Sequence, residues 1–280
     1  MLALWARLLL GIGLSSAIGL LAYWRSSLSP SGIAGAVVVG TLVFAFGGWI
    51  WGLVLVAFFV SSSLLSAYRA VDKRTVAQQF AKGGARDAWQ VLANGGVGAG
   101  LAVAYWLCAA LWPWGAFVGS MAAVTGDTWA TELGVLSRRK PRLITTWEPV
   151  ERGTSGGVSL LGTTAILAGS TAIGVLAALL LVAYRALGGT PSAPTHPFHL
   201  VAPAVAGGAA GAFVDSLLGA TVQAVYRASG RQVETEKQAE ADGTPNPLLR
   251  GRRWVTNDVV NLVSALVGAL VGGLVQLAVG

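Results

Sequence analysis

The chain's 280 residues predict an all-α fold, a polytopic transmembrane helix bundle of about eight spans. Hydrophobic residues make up 54% of the sequence and charged residues 11%, an apolar excess that a water-soluble core does not need. Apolar stretches recur along the chain, each near the roughly 20 helical residues that cross a bilayer's hydrocarbon core. Short loops rich in Lys and Arg separate them in alternation.

The predicted spans are residues 3–24, 30–47, 49–66, 90–111, 113–136, 157–184, 199–226 and 255–279, in a single integral membrane domain covering 1–280. The first contains Arg7 and ends at Tyr23-Trp24-Arg25 with no small-residue cleavage site, so it reads as an uncleaved span with an interfacial anchor. Tight, uncharged links at Gly47-Gly48 and Trp112-Pro113-Trp114 join the second span to the third and the fourth to the fifth. In the fourth, Gly95 to Gly100 reads as close helix packing, because no strand precedes it as a dinucleotide site requires. Cys108, in the same apolar run, reads as a small buried hydrophobe. His196 and His199 lie in a Pro-rich link without a third ligand.

The loops carry the orientation signal. Arg69, Lys73, Arg74, Lys82 and Arg86 lie in the loop 68–88, and Arg138, Arg139, Lys140, Arg142 and Arg152 in the loop 137–154. Arg227, Arg231, Lys237, Arg250, Arg252 and Arg253 follow in the last loop, and an eight-span count puts all three loops on one side. The positive-inside rule makes that side cytoplasmic, or stromal in a plastid, and puts both termini opposite. The net charge of +7 is thus spread between apolar spans, which suits anionic membrane lipids or a phosphorylated substrate and speaks against nucleic acid. Glu234 to Asp242 reads as a solvated, mobile loop.

An internal likeness is also present. Ser31-Gly32-Ile33-Ala34-Gly35 resembles Ser155-Gly156-Gly157-Val158-Ser159, and Phe59 to Ala67 resembles Phe213 to Ala220, which suggests a duplication with the second copy carrying the chemistry.

Asp127, Glu132, Asp215 and Asp258 stand in or at the ends of apolar spans, all towards the basic side. A carboxylate in a span costs on the order of 3 kcal/mol at the bilayer centre, so it normally faces the bundle interior and serves a site. In Gly126-Asp127-Thr128-Trp129-Ala130-Thr131-Glu132-Leu133-Gly134, helical spacing puts carboxylates and hydroxyls on adjoining faces, a set of hard oxygens that suits Mg2+. The run Arg152-Gly153-Thr154-Ser155-Gly156-Gly157-Val158-Ser159 opens the next span. A Gly-rich turn before a helix offers free amides to an anion, Thr154 and Ser155 can cap the helix or bind phosphate oxygens, and Arg142 and Arg152 can pair with phosphate. Asn257 and Asn261 share a helix face, and with Asn94 they can either support a ligand or bridge helices.

Together the Gly126–Gly134 motif, the Arg152–Ser159 run, Asp215-Ser216-Leu217-Leu218-Gly219-Ala220 and Gln90-Val91-Leu92-Ala93-Asn94-Gly95 resemble the integral-membrane phytyl-phosphate kinase family. The Gly-Asp-x-x-Ala-x-x-x-Gly pattern is more distantly similar to CTP-using polyprenol kinases and CDP-diacylglycerol synthases. The resemblance implies phosphoryl transfer from CTP or another nucleoside triphosphate to an isoprenoid monophosphate, with Mg2+ as cofactor. Asp127, Glu132, Asp215 and Asp258 would then bind metal or nucleotide, and Arg142, Arg152, Thr154, Ser155, Gly156, Gly157, Asn94, Asn257 and Asn261 would surround the phosphates. This sequence lacks the Lys-Ser pair expected after the Gly-Asp motif. A cytidylyltransferase shares the same metal site, and a secondary transporter shares the intramembrane carboxylates.

Overall fold

The computed structural model describes residues 3–70, 73, 85–108, 110–229, 233–240 and 242–279. Arg74, Lys82 and Arg231, read above as loop cations, lie outside the described residues. Among the described residues the chain forms long helices α1 (Leu4–Trp24), α2 (Pro30–Leu42), α3 (Trp49–Ala67), α4 (Ala88–Cys108), α5 (Trp112–Gly134), α6 (Leu160–Ala186), α7 (Val201–Thr221) and α8 (Asn257–Val279). It is a polytopic helical membrane protein. Local chemistry sets several boundaries: Ser29 caps α2 by accepting from Gly32 N, with Pro30 in the first turn, and Gly48, at φ 83°, lets the wide last turn Val43–Gly47 of α2 reverse into α3.

Seven helices are long and apolar enough to cross a membrane. The eighth, α5, is the axis of the bundle, and Pro113 through Gly126 are all buried. It packs against α3, α4, α6, α7 and α8. Small residues allow this closeness: a Cβ added at Gly119 of α5 would meet the Gly268 carbonyl of α8 at 2.3 Å, and one at Gly207 of α7 would meet the same carbonyl at 2.5 Å. A helix sheathed by other helices does not touch lipid, so it tolerates the carboxylates that lower its hydropathy. Below the glycine crossing, Trp51 stacks on Phe117 with ring centroids 4.2 Å apart and meets Trp114 edge-on at 5.3 Å.

The loops gather as the charge pattern requires. Leu28 bridges Arg86, so the α1–α2 link joins the start of α4, and the α5–α6 and α7–α8 loops meet where Arg250 donates to the Ser155 carbonyl at 3.0 Å. We call this the polar end. These two loops are not plain coil. The first forms a hairpin of β1 (Arg142–Leu143) and β2 (Gly157–Val158); the second forms a three-stranded antiparallel sheet in the order β4 (Glu234–Thr235), β3 (Val225–Arg227), β5 (Leu248–Arg250). Residues 225 and 226, placed in a span above, therefore belong to a strand, with Val225 and Tyr226 buried under the sheet. Glu234 to Asp242 is likewise not a free loop, since Thr235 pairs with Tyr226 and Asn246 Nδ2 donates to the Lys237 carbonyl at 3.1 Å. At the opposite end Tyr105 Oη and Trp114 Nε1 share the Ser192 carbonyl, at 2.6 and 3.0 Å.

Two further expectations change. Cys108 is exposed, because it closes α4 on the outer surface of the bundle. The helices joined by the internal likeness pack differently: α6 and α7 lie against each other, whereas α2 packs chiefly on α1 and α4 rather than on α3.

Candidate functional site

The polar ends of α3 to α8 enclose a cavity of about 830 Å³ roofed by the hairpin and the sheet. Asp127 and Asp215 reach it from within the membrane-spanning part of α5 and α7, and Asp258 from the first turn of α8. Asn94, Asn257, Asn261, Glu132, Arg152, Thr154, Ser155, Gly156 and Gly157 also line it. Of the residues singled out in the sequence, Arg142 alone does not line it. Its side chain turns outward from β1 to the Trp147 carbonyl at 2.7 Å, because the alternation of a strand aims it away from the bundle.

Asp215 Oδ2 accepts from Ser264 Oγ of α8 at 3.1 Å, which fixes one oxygen and leaves the other for the cavity. Asp127, Asp215 and Glu236 are close enough for their charges to repel. Glu236 comes from the residue after β4; its Oε1 accepts from Gln223 Nε2 at 2.7 Å and from Ser155 Oγ at 3.2 Å. Such a carboxylate group is stable only if cations or proton sharing offset it.

Glu132 has a different environment. Its Oε1 accepts from Ser66 Oγ at 2.5 Å and its Oε2 from Lys73 Nζ at 2.6 Å, so each oxygen is already engaged.

The turn 152–157 borders the same cavity, with its Ser155 Oγ on the Glu236 carboxylate. Its helix cap is Ser159, which accepts from Gly162 N at 3.1 Å, so Thr154 and Ser155 precede the helix and do not cap it. Gly156, at φ 84°, packs so tightly on α7 that a Cβ would lie 2.5 Å from Ala220 N. The turn is tied down by Arg250, which donates to Gly219 O at 2.7 Å and to Ser155 O at 3.0 Å. Among the described residues the amides of Gly153, Ser155 and Gly156 donate no hydrogen bond. Thr154 N donates to the Glu151 carbonyl, so Ser155 and Gly156 are the adjacent pair, and neighbouring unpaired amides in a turn with left-handed residues form an anion-binding concavity.

Several wall residues carried no motif signal. Tyr226, 3% exposed, has a hydroxyl without a partner among the described residues, and only the β3 pairing reveals that it reaches the cavity. Gln223, Glu236 and Lys237 line it from segments flanking the same small sheet. Arg86 donates to Ser63 Oγ at 3.0 Å and lies over the Phe59 ring, 5.5 Å from its centroid. Burial pulls its guanidinium below the ordinary value, while the nearby Glu132 charge acts in the opposite sense.

A divalent cation's fit can be read from the donor set. Asp127 and Asp215 supply hard carboxylate oxygens and Asn257 and Asn261 amide oxygens on the same cavity wall. Among the described residues no three His, Cys, Asp or Glu side chains are placed to hold an ion by themselves. A Mg2+ ion held there would need water and substrate phosphate to complete its oxygen shell.

A family model settles the chain's relatives, matching residues 13–269. The chain belongs to the integral membrane protein DUF92 family. It is 34% identical to Protein PGR of Arabidopsis thaliana over 92% of each chain. An uncharacterized membrane protein of Methanocaldococcus jannaschii is 31% identical over 76% of this chain and 82% of its own. Protein VTE6, chloroplastic, of Arabidopsis thaliana is 26% identical over 85% of this chain and 62% of that protein. No solved structure matches the chain.

Proposed function

We propose that this DUF92 member is a membrane-embedded kinase that transfers the terminal phosphoryl group of a nucleoside triphosphate, with CTP favoured, to an isoprenoid monophosphate such as phytyl or geranylgeranyl phosphate. One observation carries the reading: the carboxylates of Asp127 and Asp215 share a cavity with a turn whose free amides suit phosphate. An anion-binding turn in one cavity with repelling carboxylates calls for a ligand that brings both phosphate and a countercation, as a metal–nucleotide complex does. The motif resemblance to phytyl-phosphate kinases supports the same chemistry.

In this reading the turn 153–156, with Arg152 beside it, holds the nucleotide phosphates, and Tyr226 donates its unpaired hydroxyl to them. Asp127 and Asp215 would hold Mg2+, with help from Asn257, Asn261 and Asp258, and the ion would supply charge compensation for the transferring group. An acceptor phosphate oxygen bonds to the terminal phosphorus as its bond to the bridging oxygen breaks, releasing the nucleoside diphosphate. The acceptor is already ionised, so no strong general base is needed. Glu132, saturated by Ser66 and Lys73, has a positioning role in this scheme and does not ligate the metal. The basic loops orient the cavity towards the cytoplasm, or the stroma in a plastid.

Product analysis by 31P NMR tests the reaction class. Purified protein with Mg2+, CTP and phytyl monophosphate should yield CDP and the lipid diphosphate. Release of pyrophosphate with a CDP-lipid would replace the kinase with a cytidylyltransferase. No reaction, together with substrate exchange across proteoliposomes, would replace it with a transporter.

A further inference from the structure

A second cavity, about 80 Å³, lies between α1, α2, α3 and α4 and is lined almost entirely by apolar groups. Leu28 lines it at the polar end, and along α2 and its last turn its wall runs from Ala36 to Phe44, roughly 12 Å at the helical rise of 1.5 Å per residue. A slot of so small a volume accepts only the first few carbons of one extended chain, with the rest of a tail passing out between the helices. Phe58 and Val39 form a buried wall, while Ile18, Val56 and Phe59 are partly exposed and leave it a way out to the bilayer.

Arg86, Gln90 and Asn94 line both this slot and the large polar cavity, and so stand at their junction. The Arg86 backbone is pinned on both sides, donating to Ser27 O and accepting from Ser29 N, each at 3.0 Å. Its guanidinium is thereby held over the mouth of the slot with a hydroxyl and a ring as neighbours, and among the described residues it has no carboxylate within ion-pair distance. The nearby Glu132 carboxylate is already paired with Lys73, so this partly buried guanidinium is only partly compensated, and two oxygens of a phosphate monoester can meet its donor fork.

We propose that this junction is the acceptor site: Arg86, with Gln90 and Asn94, binds the phosphate of a single-chain lipid monophosphate whose tail enters the slot between α1, α2, α3 and α4. The headgroup then enters the carboxylate cavity from the side opposite the 152–157 turn, and the tail stays in the membrane throughout. The lipid's identity rests on the kinase reading; the location rests on the slot and its cationic mouth.

Equilibrium binding of labelled geranylgeranyl monophosphate and of geranylgeraniol to the purified full chain in nanodiscs tests this without turnover. Wild type should bind the monophosphate at least tenfold tighter than the alcohol. Arg86→Gln should erase most of that preference while leaving alcohol binding unchanged, and Arg86→Lys should restore part of it. Ala36→Phe, which fills the slot, should weaken both ligands at least fivefold with CTP binding and melting temperature unchanged. An excess of two-chain phosphatidic acid should not displace the ligand. A wild-type preference retained in Arg86→Gln, unaltered binding in Ala36→Phe, or displacement by phosphatidic acid would each overturn the proposal. If such a variant still forms lipid diphosphate, the kinase stands and its acceptor binds elsewhere; if the expected binding pattern holds but wild type turns over no nucleotide, the site stands and the kinase falls.

Discussion

Lys73 Nζ lies 2.6 Å from Glu132 Oε2, and both side chains are largely buried. Lys73 also donates to the Leu65 carbonyl at 2.6 Å, so the pair fastens the end of α3 to the end of α5 beside the cavity. Removing one member of a buried pair strands the other charge and costs about 3–5 kcal/mol. Lys73→Met should therefore lower the melting temperature in detergent markedly. The Lys73→Met, Glu132→Gln double variant should recover part of that loss, which a double-mutant cycle measures directly.

Asp127→Asn and Asp215→Asn should behave differently from the Lys73 variants. Each removes one of the mutually repelling charges while preserving shape, so thermal stability should hold or rise. Turnover should fall by at least about 10²-fold, the scale of losing an electrostatic contact made to the transition state. A folded Asp127→Asn protein with near wild-type turnover would remove Asp127 from the site.

Gly156→Ala and Gly96→Ala give a paired test of the turn. Gly156 has positive φ and no room for a methyl group against Ala220, so its substitution should cost about 1–3 kcal/mol and displace the phosphate-binding amides. Gly96 lies in α4 with open space where a Cβ would stand, and alanine there should be neutral or stabilise by up to about 1 kcal/mol. Thermal unfolding together with CTP affinity reads both effects.

Ser159→Ala should cost about 1 kcal/mol through loss of the α6 cap. Thr154→Ala should leave stability unchanged and raise the apparent KM for nucleotide, because Thr154 precedes the cap and faces the cavity. Equal destabilisation by both would return the capping role to Thr154.

The bundle was legible in the sequence because bilayer crossing imposes a length and an apolarity that composition displays directly. The cavity walls contributed by α4, α5, α7 and α8 were legible for the opposite reason: carboxylates and amides inside apolar runs stand out against their background. Arg142 and Arg152 show where such reading stops. Both lie in one basic loop, but a two-residue strand turns the first outward while the second lines the cavity. Tyr226 and Glu236 were hidden because a short sheet brings them to the cavity, the first from the end of an apolar run and the second from a polar loop, and hydropathy shows no cross-strand pairing. Lys73 and Arg86 were visible as loop cations, but their burial depends on contacts with Leu65, Ser63 and Glu132 on α3 and α5, which no local pattern encodes.

The most direct test is transfer of label from gamma-labelled CTP and, separately, ATP to phytyl or geranylgeranyl monophosphate by the purified protein with Mg2+, with Asp127→Asn as control. Label should appear in a lipid diphosphate, more from CTP than from ATP, and be lost in the control. Folded wild-type protein that transfers label from neither nucleotide to either lipid would overturn the kinase assignment.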